Sequence, residues 1–167
     1  MPPFQKNGFV VACPATRHGV IIDPGDEVDQ LLQWIAAEQI VVEHILLTHA
    51  HIDHTGWLPR LVAQGFRGPV YCTGGTSDIC QLVLPDAAHL QEEDAKFANA
   101  RGYSKHHPAL PLYTEAEARR AIGRFRPVSY EQEIEVAPGI VAERQTIARG
   151  RRQADAAFIE TYAALTA

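Results

Sequence analysis

Apolar and polar positions along the chain fall into short blocks whose spacing predicts an α/β protein. Residues 9–13 and 20–23 are β-branched runs separated by the polar turn Thr16-Arg-His-Gly19, the pattern of a two-stranded hairpin. Asp23-Pro-Gly25 ends the second run. Val28, Leu31, Leu32, Ile35 and Ala36 recur at helical spacing behind acidic residues and predict an amphipathic helix to about Glu38. Residues 41–47 are nearly continuously apolar, as expected of a strand buried on both faces. Residues 58–64 then predict a short helix, 68–72 a strand, and 76–84, 87–100 and 114–125 three more helices, the last opened by Thr114-Glu-Ala-Glu117. Residues 102–113 are polar and interrupted by proline. Residues 133–136 alternate like a strand, and Pro138-Gly139 marks a turn. From Arg144 an Arg-rich stretch leads into an alanine-rich segment, read as helical or as a poorly ordered tail. The expectation is a domain over residues 1–143 with 144–167 as that tail.

Composition narrows the class. The chain has 167 residues, enough for one core and too few for two. No apolar run approaches the ~20 residues of a bilayer span, and the first residues lack a signal peptide's basic start and apolar centre, so a cytoplasmic protein with no membrane partner is expected. Cys13, Cys72 and Cys80 are odd in number and lack Cys-x-x-Cys spacing, so neither a disulfide framework nor a zinc knuckle is indicated, and they read as buried thiols. The net charge of -5 argues against nucleic-acid binding through bulk charge alone. The charge is uneven, however. Residues 1–100 hold 5 Lys/Arg against 12 Asp/Glu, and residues 101–167 hold 10 against 8, which leaves room for a local basic surface in the second half.

The chemistry concentrates in Thr48-His-Ala-His-Ile-Asp-His-Thr55, directly after the predicted buried strand. His49 and His51 are two apart in a chain leaving a strand, so both imidazoles can turn toward one metal. Asp53 and His54 follow and can face a second point a few ångströms away, a ligand set that suits zinc. Metals so placed acidify a shared water into a hydroxide nucleophile and polarise a carbonyl or phosphoryl group. Gly56 lets the chain leave the crowded site. Asp23, at the end of another strand, either orients a ligand histidine or metal-bound water, or caps its turn. His18 and His44 read as surface or packing residues, and Trp34 and Trp57 as core. His89, Arg101, Lys105 and His106, with His107, lie where a loop can fold over the metal site and hold a phosphate-bearing substrate, or form a solvated face.

The motif His49-x-His51-x-Asp53-His54, preceded by Ile21-Ile-Asp-Pro-Gly25, is similar to the signature of the metallo-β-lactamase superfamily. Residues 7–54 look most like glyoxalase II-like thiolester hydrolases. Residues 55–113 resemble the RNA-processing beta-CASP nucleases through the run from Gly56 to Cys72, the run from Leu84 to Asp94, and Arg101-Gly-Tyr-Ser-Lys-His106 with Pro111-Leu-Tyr113. The likeness switches at the shared motif, as in a chimera. The resemblance implies an αββα sandwich, here its amino-terminal half, with His49 and His51 on a first metal and Asp53 and His54 on a second. Asp53 would also hold the nucleophilic water. It implies two zinc ions, with one plausible here, and iron or manganese as substitutes. It also implies a later histidine and a bridging aspartate, and residues 141–149, where that histidine is expected, contain none. The implied activity is phosphodiester hydrolysis in RNA; the alternatives are thiolester or lactone hydrolysis, or a metal-binding domain without catalysis. A half-sandwich would leave one sheet face bare, which predicts self-association as a homodimer.

Overall fold

Alternation along the first strands sets up two different interiors. The computed structural model describes residues 8–25, 28–130, 132–145 and 158–163, with 143–145 and 158–163 as backbone only. β1 (Phe9–Ala12) and β2 (His18–Ile22) form the expected antiparallel hairpin, Phe9 opposite Ile22. α1 (Val28–Ala37) leads to β3 (Val41–Leu46), parallel to β2. α2 (Ile52–Thr55), α3 (Leu58–Ala63), β4 (Val70–Cys72), α4 (Gly74–Arg101), α5 (Glu115–Ile122) and β5 (Phe125–Pro127) follow. The first sheet runs β1-β2-β3-β4-β5 and is parallel from β2 onward. β6 (Glu133–Ala137), β7 (Ile140–Gln145) and β8 (Phe158–Ala163) make a second, antiparallel sheet.

Because successive strand residues point to opposite faces, Ile21, Ile45 and Val70 pack against the helices, with Val28, Leu58, Leu61, Leu84, Ala88 and Ala118. Val20, Ile22 and Leu46 face the other way and bury Val136, Ala137, Ile140 and Ala142 of the second sheet. The layers are helices, sheet and sheet, three of the four in an αββα sandwich. No helix covers the outer face of β6–β8 among the described residues. The face of the first sheet expected to be bare is covered by that second sheet, which removes the ground for self-association there. No helix among the described residues is long and apolar enough to cross a membrane.

Several elements differ from expectation. The helices expected at 76–84 and 87–100 are one helix, α4, which runs through Pro85. Proline removes one N–H, but the carbonyl left without it belongs to exposed Gln81, where water can serve it. Thr73 caps the start by accepting from Thr76 N–H, and Gly102, at φ 67, closes the end with its N–H on Ala98. α5 stops at Ile122, and Phe125 begins β5 instead of ending a helix. The alanine-rich end is expected as a helix or a poorly ordered tail, yet residues 158–163 pair with β7 as a strand, carrying the β-formers Phe158, Ile159, Thr161 and Tyr162. The rest of the expected tail from 146 onward lies outside the described residues. Trp34 is 49% exposed on α1, not core, whereas Trp57 packs against the helical interior.

Cys13, Cys72 and Cys80 form no disulfide. Cys72 and Cys80 are buried, and burial pushes the Cys80 thiol up to about 11 against the pull of the Thr55 hydroxyl. Cys13 lies nearer the surface, and hydrogen bonding from Thr16 lowers its pKa. A thiol raised in the fold favours the folded state while protonated, so Cys80 contributes stability below the ordinary thiol range that is lost as pH rises through about 11. Native protein titrated with an aromatic disulfide near neutral pH should therefore expose Cys13 alone to fast reaction. Equal rates for Cys13 and Cys80 would contradict this burial. Urea unfolding should show Ile45→Ala losing about 2–5 kcal/mol and Trp34→Ala less than about 0.5 kcal/mol.

Candidate metal centre

Two adjacent parallel strands, β2 and β3, end side by side, and their next residues build the site. Asp23 follows β2 with φ 48, a left-handed conformation unusual for a residue with a side chain. Its N–H donates to Leu46 O at 2.9 Å, which fixes it against the end of β3. The carboxylate is 5% exposed. Thr48 N–H donates to Oδ1 at 2.7 Å, and Thr48 Oγ1 donates to Oδ2 at 2.5 Å.

These bonds dictate histidine tautomers. The Thr48 hydroxyl has one proton and gives it to the carboxylate, so toward His49 Nδ1, 2.8 Å away, it can only accept. His49 therefore carries its proton on Nδ1 and presents a lone pair at Nε2. His54 Nδ1 lies 3.0 Å from Asp23 Oδ2, an acceptor, so His54 is likewise protonated at Nδ1. Its Nε2 is 3.6 Å from Asp53 Oδ2. Burial, then the neighbouring His54, lowers the pKa of His49, while Asp23 opposes; the net effect favours the neutral, ligand-competent ring. Asp23, His49 and His54 each offer a ligand atom, all within 4.8 Å of one another.

The motif is not a loose loop. Residues 52–55 form the single helical turn α2, whose start is tied by the His51 carbonyl accepting from His54 N–H and Thr55 N–H. That turn swings His54 back over His49, with ring centroids 4.0 Å apart. His51 is exposed, with its ring nearly perpendicular to that of His49 at 4.7 Å. His51 and Asp53 thus flank the three-donor group without belonging to it, and the close set crosses the two ligand pairs expected from sequence. Gly56 has an ordinary helical φ of -64, so what its position needs is space: a Cβ there would stand 2.6 Å from Ile52 O.

Asp53 also lines a pocket of about 250 Å³ with Gly25, Trp57, Gln91, Leu112 and Tyr113. The structure does not bring His89, Arg101, Lys105 or His106 into it. His89 is exposed and lies 3.3 Å from Glu115, and Arg101 sits over the Phe97 ring. Lys105 and His106 line a separate recess formed by residues 104–110. His18 pairs with Glu43, and His44 bonds the Val136 carbonyl and stacks near Tyr71, both packing roles as expected. Sequence reasoning missed Thr48. The available signal was a hydroxyl residue directly after a buried strand and before the first histidine.

The donor chemistry of imidazole and carboxylate fits a divalent metal. A family model described as the metallo-beta-lactamase superfamily matches residues 1–145. A ribonuclease of Thermus thermophilus is 36% identical over 89 residues, which are 53% of this chain and 17% of that protein. Transcription termination factor FttA of Methanocaldococcus jannaschii is 29% identical over 141 residues, 81% of this chain and 20% of that protein. The chain spans a fifth or less of the length of these two relatives. The crystal structure of Zn(2+)-bound PqqB from Methylobacterium extorquens matches with a TM-score of 0.58 and 12% identity, covering 95% of this chain and 46% of that one, a likeness of fold alone. One of these sequence relatives is named a ribonuclease, and the residues matched by the family model take in both strand ends and the whole motif: the chain belongs to the metallo-beta-lactamase superfamily.

Proposed function

We propose that this chain provides the metal-binding part of a phosphodiesterase acting on RNA. The observation that carries the reading is the convergence of Asp23, His49 and His54, each offering a ligand atom within 4.8 Å of the others, with both imidazoles protonated at Nδ1 and so carrying their lone pair at Nε2. Similarity to a ribonuclease favours a phosphodiester over a thiolester as the bond acted on.

In this reading His49 and His54 hold the ion, with His51 and Asp53 beside it. Zinc suits the set; iron and manganese suit it as well. A bound divalent ion supplies Lewis acidity toward a phosphoryl oxygen and lowers the pKa of a water. The chain's own groups do the rest. Asp53, which lines the pocket and whose Oδ2 lies 3.6 Å from His54 Nε2, would take up the proton that the attacking water gives up. Asp23 touches no substrate; it positions His54 directly and His49 through Thr48, as a carboxylate behind ligand histidines does.

Two measurements test this. In metal titrations, Asp23→Asn and Thr48→Val should each weaken zinc binding by roughly 10–100-fold, while Thr48→Ser, which keeps the hydroxyl, should stay near the unsubstituted protein. Equal affinity in Thr48→Val would remove the tautomer argument. Separately, protein loaded with zinc, manganese or iron is assayed against single-stranded RNA and a glutathione thiolester. RNA cleavage that His54→Ala abolishes is the expected outcome. Cleavage of the thiolester alone would replace the nuclease reading with the glyoxalase-like one, and stable metal uptake with neither turnover would leave a non-catalytic metal domain.

A further inference from the structure

Acidic residues stop at Asp94 and resume only at Glu115, in a chain whose net charge is -5. The stretch between carries Lys96, Arg101, Lys105, His106 and His107, and the structure gives it a built shape. After α4 ends at Gly102, residues 102–113 form a strap held back against the helix. Asn99 grips Ala109 with both ends of its amide: Nδ2 donates to Ala109 O at 2.9 Å, and Oδ1 accepts from Ala109 N–H at 2.8 Å. Gln91 Oε1 accepts from Leu112 N–H at 3.0 Å.

The outside of this corner is aromatic as well as basic. Tyr103 is 63% exposed and Phe97 54%, with ring centroids 6.0 Å apart and planes at 62°. The Arg101 guanidinium lies 5.4 Å from the Phe97 centroid. Beyond Tyr103, residues 104–110 line the open recess that includes Lys105 and His106. Leu112 and Tyr113, at the strap's other end, line the pocket beside Asp53. Leu110 and Leu112 are two residues apart, no more than ~7 Å of chain, so recess and pocket are near neighbours along one strap.

Exposed rings interleaved with cations, without a competing acid in the stretch, match what an unpaired nucleic-acid strand presents: flat bases and regularly spaced phosphates. We propose that the carboxyl-terminal end of α4 and the strap form a docking surface for single-stranded RNA. Tyr103 and Phe97 stack with bases, Arg101 and Lys105 meet phosphates, and the strap leads the strand to the pocket beside Asp53. The choice of RNA rests on the phosphodiesterase reading above; the surface itself does not include the metal-site residues.

The test is fluorescence anisotropy of labelled single-stranded oligouridylate with the full chain stripped of metal, so that binding is read without cleavage. Tyr103→Ala should weaken binding about tenfold. Lys105→Ala should weaken it less and lower the salt-dependence slope by about one. Arg17→Ala, on the hairpin turn between β1 and β2 and paired with Glu38, should leave it unchanged. All three side chains are exposed, and matched thermal melts confirm folding. Native affinity in the Tyr103→Ala, Lys105→Ala double variant overturns the proposal, as does an equal loss in Arg17→Ala. Loss of binding to phosphatidylserine vesicles with RNA binding intact also overturns it, because the surface would then be a membrane contact. The two readings fail separately. Absence of turnover with every metal sinks the phosphodiesterase while a Tyr103 effect on RNA binding stands; turnover with unaltered binding in the double variant sinks the docking surface alone.

Discussion

The carboxylate of Asp23 is the constraint around which the site is arranged. It is 5% exposed, and an unpaired charge so placed would be costly. Thr48 meets it with backbone and hydroxyl together, and His54 adds a ring N–H. Each of these donors comes from the segment that leaves β3, so the bond set exists only if β2 and β3 end in register. The register is visible one residue earlier, where Ile22 pairs with Leu46 and Asp23 N–H reaches the Leu46 carbonyl. Satisfying the charge and fixing the histidine tautomers are one event.

That dependence explains why the sheet is built as it is. Ile21, Ile45 and Leu47 bury their side chains under the helices, while Val20, Ile22 and Leu46 are clamped by the second sheet. A strand end packed from both faces has little freedom to slide, and a slip of one residue would turn every side chain to the wrong layer. The left-handed φ of Asp23 belongs to the same logic, since strained backbone persists where its surroundings over-determine it. Core packing holds the strand ends, and the strand ends hold the polar cluster.

Much of this was legible in the sequence, and the misses have physical causes. Hairpin, first helix and central strand follow from periodicity, and the motif follows from clustered ligand-type residues after an apolar run. Asp23 could be suspected as an orienting group because Pro24 and Gly25 mark an abrupt strand end. Its partner Thr48 offered only a hydroxyl at a strand end as a signal; the pairing itself was not legible, because the bond joins residues 25 apart in sequence and depends on strand register. Pro85 looked like a break because local rules cannot see that Gln81 lies on the exposed side. Trp34 reads as core from the sequence, although it is 49% exposed on α1. Phe125 continued an apolar pattern, yet what decides its state is a vacant strand position beside β4, a tertiary fact.

The continuity of α4 through Pro85 has a mechanical meaning for the site. Cys80, Leu84 and Ala88, on both sides of Pro85, are fully buried in the core shared with Ile45 and Leu58. Gln91, Glu92 and Asn99, in the second half, accept from or clasp the backbone at Leu112, Glu115 and Ala109. A break at Pro85 would let those three contacts move relative to the core, and with them Leu112 and Tyr113 beside Asp53. A single rigid helix instead references the strap to the same packed layer that positions β3. The pocket wall and the metal-site histidines therefore share one foundation, although 60 or so residues of chain separate them.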